Sequence, residues 1–301
     1  MPELPDVTVY LRRLEARAVG RTLERVRLAS PFVLRTAVPP LAAVEGQVIA
    51  GVERVGKRIV LALANDLFVV VHLMIAGRFR WAVFGAPKAP NAIAFLDIRG
   101  DAAEGGSGTL VLTEAGSRKR ASIHVVQGRE ALRALDAGGI DVLAADREAF
   151  AARLVAESHT VKRALTDPRL FSGIGNAYAD EILHRARMSP IALTRKLVLE
   201  AVDRLHAAVQ STLREWIERL DREAGEAGGW PAKVTAFHPA MAVHGRHGQP
   251  CPDCGAPVQR IVHAENETNY CARCQTDGKL LADRALSRLL KDTRPKHIDD
   301  L

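Results

Sequence analysis

Pro2 and Glu3 put a potential secondary amine beside a carboxylate in the opening run Met1-Pro2-Glu3-Leu4-Pro5-Asp6. Pro2 is small enough for the initiator methionine to be trimmed, and only then is its nitrogen an amine; with Met1 attached it is an amide and cannot be a nucleophile. A free amine here can attack an electrophilic sugar carbon and form an iminium. An α-amino group has a pKa of about 8, roughly two units below lysine, so more of it is unprotonated at neutral pH. Glu3 offers a carboxylate for the accompanying proton transfers. Alone, the pair is a chemical possibility that many chains share by chance.

All four cysteines of the chain fall in two pairs, Cys251-Pro252-Asp253-Cys254 and Cys271-Ala272-Arg273-Cys274, separated by sixteen residues. Two residues between cysteines let both thiolates face one ion from a tight turn. Two such knuckles joined by a hairpin complete a tetrahedral four-thiolate site. The expectation is one structural Zn2+ and no organic cofactor. With no ligand position left for water, the zinc serves to hold a hairpin too small to bury its own core.

A third signal lies in Asp167-Pro168-Arg169-Leu170-Phe171-Ser172-Gly173-Ile174-Gly175-Asn176. The paired glycines permit backbone turns that other residues resist. Asn176 then starts a helix, whose amide-rich positive end suits a phosphate, although a cap role is the commoner use of such an Asn.

The chain as a whole is basic, with 42 Lys+Arg against 35 Asp+Glu among 301 residues and a net charge of +7. That favours a polyanionic partner. Hydrophobic residues make up 48% and mean hydropathy is near zero at −0.02, an ordinary globular composition. The longest apolar run, Leu67 to Ala76, is too short to span a bilayer and contains His72. No signal-peptide pattern opens the chain, so a cytoplasmic, nucleoid-associated protein with no membrane partner is expected. Four cysteines in a reducing compartment point to metal before disulfides.

The elements that must carry these residues change character along the chain. After a helix with apolar residues at 7, 10, 11 and 14, strand-like runs cover Thr22 to Leu28, Gln47 to Val55, Arg58 to Leu63, Leu67 to Leu73, Ile93 to Asp97 and Thr109 to Leu112. Asp101 to Gly108 reads as a glycine-rich loop. From about Ala131 the pattern is helical: Asp146 to Leu154 with a capping aspartate, Val161 to Leu165, Asn176 to Arg187, and an amphipathic Leu197 to Leu220, with a linker beginning at Gly225. The fold class is α+β: an N-terminal β-sandwich with a helix (1–130), a helical domain with linker (131–242), a four-cysteine zinc finger (243–276) and an amphipathic tail (277–301).

Pro2-Glu3-Leu4-Pro5, the Gly173-Ile174-Gly175-Asn176 turn and the late four-cysteine module, in this order, resemble the formamidopyrimidine-DNA glycosylase/endonuclease VIII family. The resemblance implies a helix–two-turns–helix in the helical domain and double-stranded DNA with oxidised bases or abasic sites as partner, in a cleft between the domains. A monomer is expected. It implies base flipping, attack of the Pro2 amine at C1′, loss of the base and β,δ-elimination. Glu3 becomes the proton donor and acceptor, and Lys57, in Val55-Gly56-Lys57-Arg58, the hairpin lysine that binds phosphate and assists catalysis. Asn176 becomes a phosphate ligand, and Lys162 a basic residue facing the lesion. Met74 and Ile75 stand at the wedge that fills the void left by the flipped base, and Arg118 and Arg120 at the second void-filling loop.

Several positions depart from the family pattern. The zinc-finger arginine five residues before the third cysteine is Asn266, with Arg260 and Arg273 as possible replacements. The aromatic expected after Arg118 is Arg120 or displaced, and the 220–243 linker is short for a long lesion-capping loop. An abasic-site lyase with little base release, or a non-catalytic binder of damaged DNA, are the alternatives. In the tail, Leu281, Ala285, Leu286 and Leu289 form an apolar face and Arg284, Arg288 and Lys291 a basic one, read first as docking and second as a DNA or partner contact.

Overall fold

The computed structural model describes residues 1–301 except 102–105, 232–233, 236, 264–265, 283–294 and 301, with the side chains of 263 and 266 also left out. The tail residues Arg284, Ala285, Leu286, Arg288, Leu289 and Lys291 and much of the 101–108 loop therefore lie outside the described residues, as does the Asn266 side chain. The chain divides into two compact units. One comprises Met1–Ala137 with Trp216–Thr235, the other Gly138–Glu215 with Ala236–Leu301.

The first unit opens with α1 (Leu4–Ala18). Pro5 sits in its first turn, where a missing N–H costs nothing, and Asp6 Oδ2 accepts the Glu3 N–H at 2.9 Å. Val7, Tyr10, Leu14 and Ala18 recur at helical spacing and are buried in the core. Eight antiparallel strands follow: β1 (Thr22–Leu28), β2 (Gln47–Val55), β3 (Arg58–Leu63), β4 (Leu67–His72), β5 (Gly77–Val83), β6 (Ala92–Arg99), β7 (Gly108–Glu114) and β8 (Ser122–Gln127), in the order β5-β7-β6-β1-β2-β3-β4-β8. β1 meets β2 at only two residue pairs, Thr22↔Val48 and Leu23↔Gln47, so the strands form two four-stranded halves joined at a corner. One apolar cluster draws on both: Leu23, Leu96, Leu110 and Phe79 from one half, Ile49, Leu61, Val69 and Ile123 from the other. This is the expected sandwich. Val60, Ala62, Phe68 and Val70 on the opposite faces of β3 and β4 pack with Leu132 of α2 (Gly128–Arg133), which explains why those strands read as continuous apolar runs.

β5 and β8 are absent from the strands expected from sequence. They are the two edges of the sheet, where polar residues such as Arg80, His124 and Gln127 interrupt the apolar pattern. The linker also begins later than expected. Helix α6 (Leu199–Glu226) runs through Gly225, and Trp230 beyond it packs on Tyr10 and Trp81 and donates to Phe79 O at 3.1 Å within the first unit.

In the second unit, two short parallel strands, β9 (Ile140–Asp141) and β10 (Phe171–Ser172), accompany α3 (Arg147–Val155), α4 (Val161–Thr166), α5 (Asn176–Arg185) and the first part of α6. Asp146 caps α3 by accepting from Ala149 N at 2.8 Å. The hairpin β11 (Gln259–His263) and β12 (Asn266–Tyr270) leads into α7 (Ala272–Thr276). The described ends of the tail dock on this hairpin, with Leu281 and Ile298 buried against Ile261, Tyr270 and Ala272.

Candidate active site and zinc centre

Pro2 is buried and Glu3 is 2% exposed at the entry to α1. Burial lowers the pKa of the chain's terminal amine, on Met1; Arg78 and Lys57 push the same way, while Glu3 and Asp6 oppose. Asp6 is driven in the other direction, up to about 7. Loss of solvent is the main cause, and the hydrogen bond from Glu3 N offsets part of it.

Lys57 occupies the second position of the two-residue turn between β2 and β3. Gly56 before it has φ +60°, the feature that selects glycine first in a type II′ hairpin turn. Arg54 Nη1 donates to Gly56 O at 2.8 Å and fixes the tip. Burial lowers the Lys57 pKa, and the attraction of Glu3 works against that. Pro2, Glu3 and Lys57 thus share one electrostatic neighbourhood. His72, at the end of β4, is held down to about 4 by burial and then by Arg58, Lys57 and His124.

The expected wedge residues lie in the tight connection from β4 to β5. Gly77 N donates to Leu73 O at 2.9 Å, closing the loop, and a Cβ at Gly77 would meet that oxygen at 2.1 Å. Met74 takes φ +53°, a left-handed conformation that non-glycine residues resist. Ile75 is 53% exposed at the turn. Arg78 holds the loop from behind by donating to Ile75 O at 3.1 Å, Gly77 O at 2.6 Å and Val234 O. Arg118 and Arg120 are exposed in the connection from β7 to β8. The buried Glu114 carboxylate organises that connection by accepting from the backbone N–H of Arg120 and Ala121.

In the second unit Gly175 takes the cap position and Asn176 is the first helical residue of α5. Asn176 Nδ2 donates to Glu267 O of β12 at 2.7 Å, tying the helix start to the hairpin. Lys162 lies inside the second unit. It is 9% exposed, and its ammonium donates to Asp180 Oδ1 at 2.6 Å, Thr268 Oγ1 at 2.8 Å and Glu267 O at 3.1 Å. Its three N–H donors thus meet three acceptors within this unit. Sequence reasoning missed its partners: Asp180 also accepts from Asn269 N and pairs with His244 Nδ1, while Glu181 accepts the N–H groups of 242, 243 and 244. The adjacent acids Asp180-Glu181 on a short helix were the available signal.

The four cysteine sulfurs lie within 4.8 Å of one another, with Cys254–Cys271 at 3.4 Å and Cys251–Cys274 at 3.9 Å. Zn–S bonds of about 2.3 Å set tetrahedral sulfur–sulfur edges of about 3.8 Å, so the cysteines fit a zinc ion closed to other ligands. Of the replacement cations for Asn266, Arg260 lies 3.6 Å from Glu267 and Arg273 3.0 Å from Asp299.

Three family models match in succession: the formamidopyrimidine-DNA glycosylase N-terminal domain over residues 1–121, its H2TH domain over 139–224, and the zinc finger found in FPG and IleRS over 248–276. The formamidopyrimidine-DNA glycosylase of Thermus thermophilus is 33% identical over 292 residues, covering 92% of this chain and 100% of the relative. The chain belongs to the formamidopyrimidine-DNA glycosylase family. The Geobacillus kaustophilus glycosylase is 32% identical over 283 residues, covering 91% of this chain and 100% of its own. Among solved glycosylases, the Lactococcus lactis enzyme in complex with abasic-site DNA has a TM-score of 0.78 at 26% identity, covering 91% and 99% of the two chains. The Thermus thermophilus structure has a TM-score of 0.72 at 33% identity, covering 91% and 98%. The glycosylase family's H2TH model thus covers α3, α4, α5 and most of α6, and its zinc-finger model all four cysteines.

Proposed function

We propose that this chain is a base-excision repair DNA glycosylase that also acts as an abasic-site lyase, with Pro2 as nucleophile. The observation that carries the reading is the burial of Pro2 and Glu3 within the electrostatic reach of Lys57 and Arg78. Removal of Met1 moves the terminal amine one residue inward, to the buried Pro2. There desolvation, the main cause of the lowered pKa at Met1, favours the neutral amine that a nucleophile requires, with Arg78 and Lys57 acting in the same direction and Glu3 and Asp6 against it.

The amine nitrogen bonds to C1′ of the damaged nucleotide as the glycosidic bond breaks and the base departs with its electron pair. The amine then sheds its proton, and the C1′–O4′ bond opens as Glu3 protonates O4′, so that the nitrogen lone pair closes onto C1′ as an iminium. The resulting iminium acidifies C2′–H. Loss of that proton expels the 3′ phosphate, and a second elimination expels the 5′ phosphate. At an abasic site the same amine enters without base release. Lys57 and Asn176 are assigned to backbone phosphates, and Ile75, Met74, Arg118 and Arg120 to the void left by the flipped base. Zinc, held by Cys251, Cys254, Cys271 and Cys274, supplies structure to the hairpin and takes no part in bond making.

Borohydride reduction during turnover tests this, using duplexes bearing 8-oxoguanine, formamidopyrimidine, thymine glycol, dihydrouracil or an abasic site. The trimmed protein forms a covalent adduct and Pro2→Gly greatly reduces it. Absence of an adduct on every duplex, from protein verified to begin at Pro2, would falsify the reading. Scoring base release and strand cleavage separately distinguishes a glycosylase from a lyase alone.

A further inference from the structure

One stripe of α5 connects everything the second unit brings together. Asn176, Asp180 and His184 are spaced four apart and so stand one above another, about 12 Å from first to last. Asn176 bonds β12 at Glu267 O, and Asp180 bonds β12 at Asn269 N. His184 is 4% exposed, and its Nε2 lies 3.3 Å from Cys251 Sγ. Just past the end of α5, Met188 O accepts from Gln275 Nε2 of α7 at 2.9 Å, and Gln275 Oε1 in turn accepts the Cys271 N–H at 2.8 Å.

We infer that His184 is a positioning residue of the zinc centre, donating Nε2–H to the Cys251 thiolate. A zinc-bound thiolate carries no proton. The only hydrogen bond available across this contact therefore runs from nitrogen to sulfur, which fixes the tautomer of the ring. Four thiolates around Zn2+ leave two net negative charges in a small module, and a buried N–H aimed at one sulfur draws charge from it. Cys251 is itself buried, so water cannot take over that task. Outer donors of this kind orient a ligand and commonly change metal affinity by about 10–100-fold. Arg187 and Asp253, 3.3 Å apart, close the same contact from the exposed side. Neither the paired cysteines nor the family match marks position 184, because the bond joins residues 67 positions apart.

The test uses the full-length, zinc-loaded chain and measures zinc itself. Transfer of zinc to excess chromogenic chelator is timed for the wild type, for His184→Gln, whose amide keeps an N–H near the Nε2 position, and for His184→Phe and His184→Met, which have none. Release from the Phe and Met variants is expected to be 10–100-fold faster, with Gln within about threefold of wild type. In cobalt-substituted protein the sulfur-to-metal charge-transfer band should move in the donor-free variants and stay in place in His184→Gln. The inference is overturned if Phe or Met variants that fold release zinc at the wild-type rate. It is equally overturned if Gln, Phe and Met accelerate release alike with an unmoved cobalt band, since packing alone would then account for the position.

Discussion

Lys162 Nζ and Asp180 Oδ1 are 2.6 Å apart, with Lys162 9% and Asp180 1% exposed, so the pair is an internal brace and not a surface charge. Lys162→Met leaves a buried carboxylate with one cation fewer, a change that typically costs about 3–5 kcal/mol. The thermal midpoint of the variant should fall accordingly. A cation on a DNA phosphate contributes about 0.9 to the slope of log affinity against log salt. Measured below the melting transition, that slope should be the same in Lys162→Met and wild type; a drop of about one would put Lys162 on DNA after all.

Legibility from sequence followed the range of the interactions. The zinc site was readable because both halves are local C-x2-C turns. β1 and β2 were readable with their observed limits because their apolar content is bounded by turn residues. The edge strands β5 and β8 were lost because Arg80 and His124 interrupt the apolar runs by which the inner strands were recognised. The partners of Lys162 were not legible because its acceptors on β12 are more than a hundred residues away, and no periodicity reports such a contact.

Glu3→Gln separates chemistry from binding. The variant keeps the side-chain shape at a 2% exposed position but loses the carboxylate. Loss of a positioned acid or base typically costs about 10²–10⁴ in rate. Adduct formation and strand cleavage should fall by that order, while affinity for abasic-site duplex, measured by fluorescence anisotropy, changes by only a few fold. Equal loss of affinity and rate would mean that Glu3 acts through folding.

The raised pKa of Asp6, about 7 against an ordinary 3.8, makes a signed prediction. Between those values the folded protein binds a proton that the unfolded chain has released, so Asp6 lowers stability as pH rises across the window. Asp6→Asn keeps an oxygen to accept the Glu3 N–H and cannot ionise. Its thermal midpoint relative to wild type should therefore climb from pH 4 to pH 7 and level off above. A constant difference across that range would show that Asp6 titrates normally.

Ile75 is 53% exposed on a loop held by Met74 at φ +53°, so its apolar surface contributes little to the folded core. Ile75→Ala should change stability by less than about 1 kcal/mol. If the side chain enters the stack beside a flipped base, the lost burial is about 2 kcal/mol, or roughly 30-fold in affinity for lesion-bearing duplex. Affinity for undamaged duplex should not change. An equal effect on both duplexes would assign Ile75 to general contact and remove it as a wedge.

Ile298 returns the end of the chain to the zinc hairpin. It is 6% exposed beside Ile261 and Tyr270, its N–H donates to Gly278 O at 2.7 Å, and Leu281 N donates to Tyr270 Oη at 2.7 Å. Ile298→Asp puts an unpaired carboxylate into that cluster, which burial penalises strongly. Residues 295–300 should then detach, since the solvated carboxylate is much lower in free energy than the buried one. Amide hydrogen exchange would report this as lost protection at Leu281 and Ile298 with unchanged protection in β3 and β4. Because the tail covers Ile261 of β11 and Tyr270 of β12, the hairpin should also lose protection. If only Ile298 itself changes, the tail merely rests on the zinc finger and does not help to hold it.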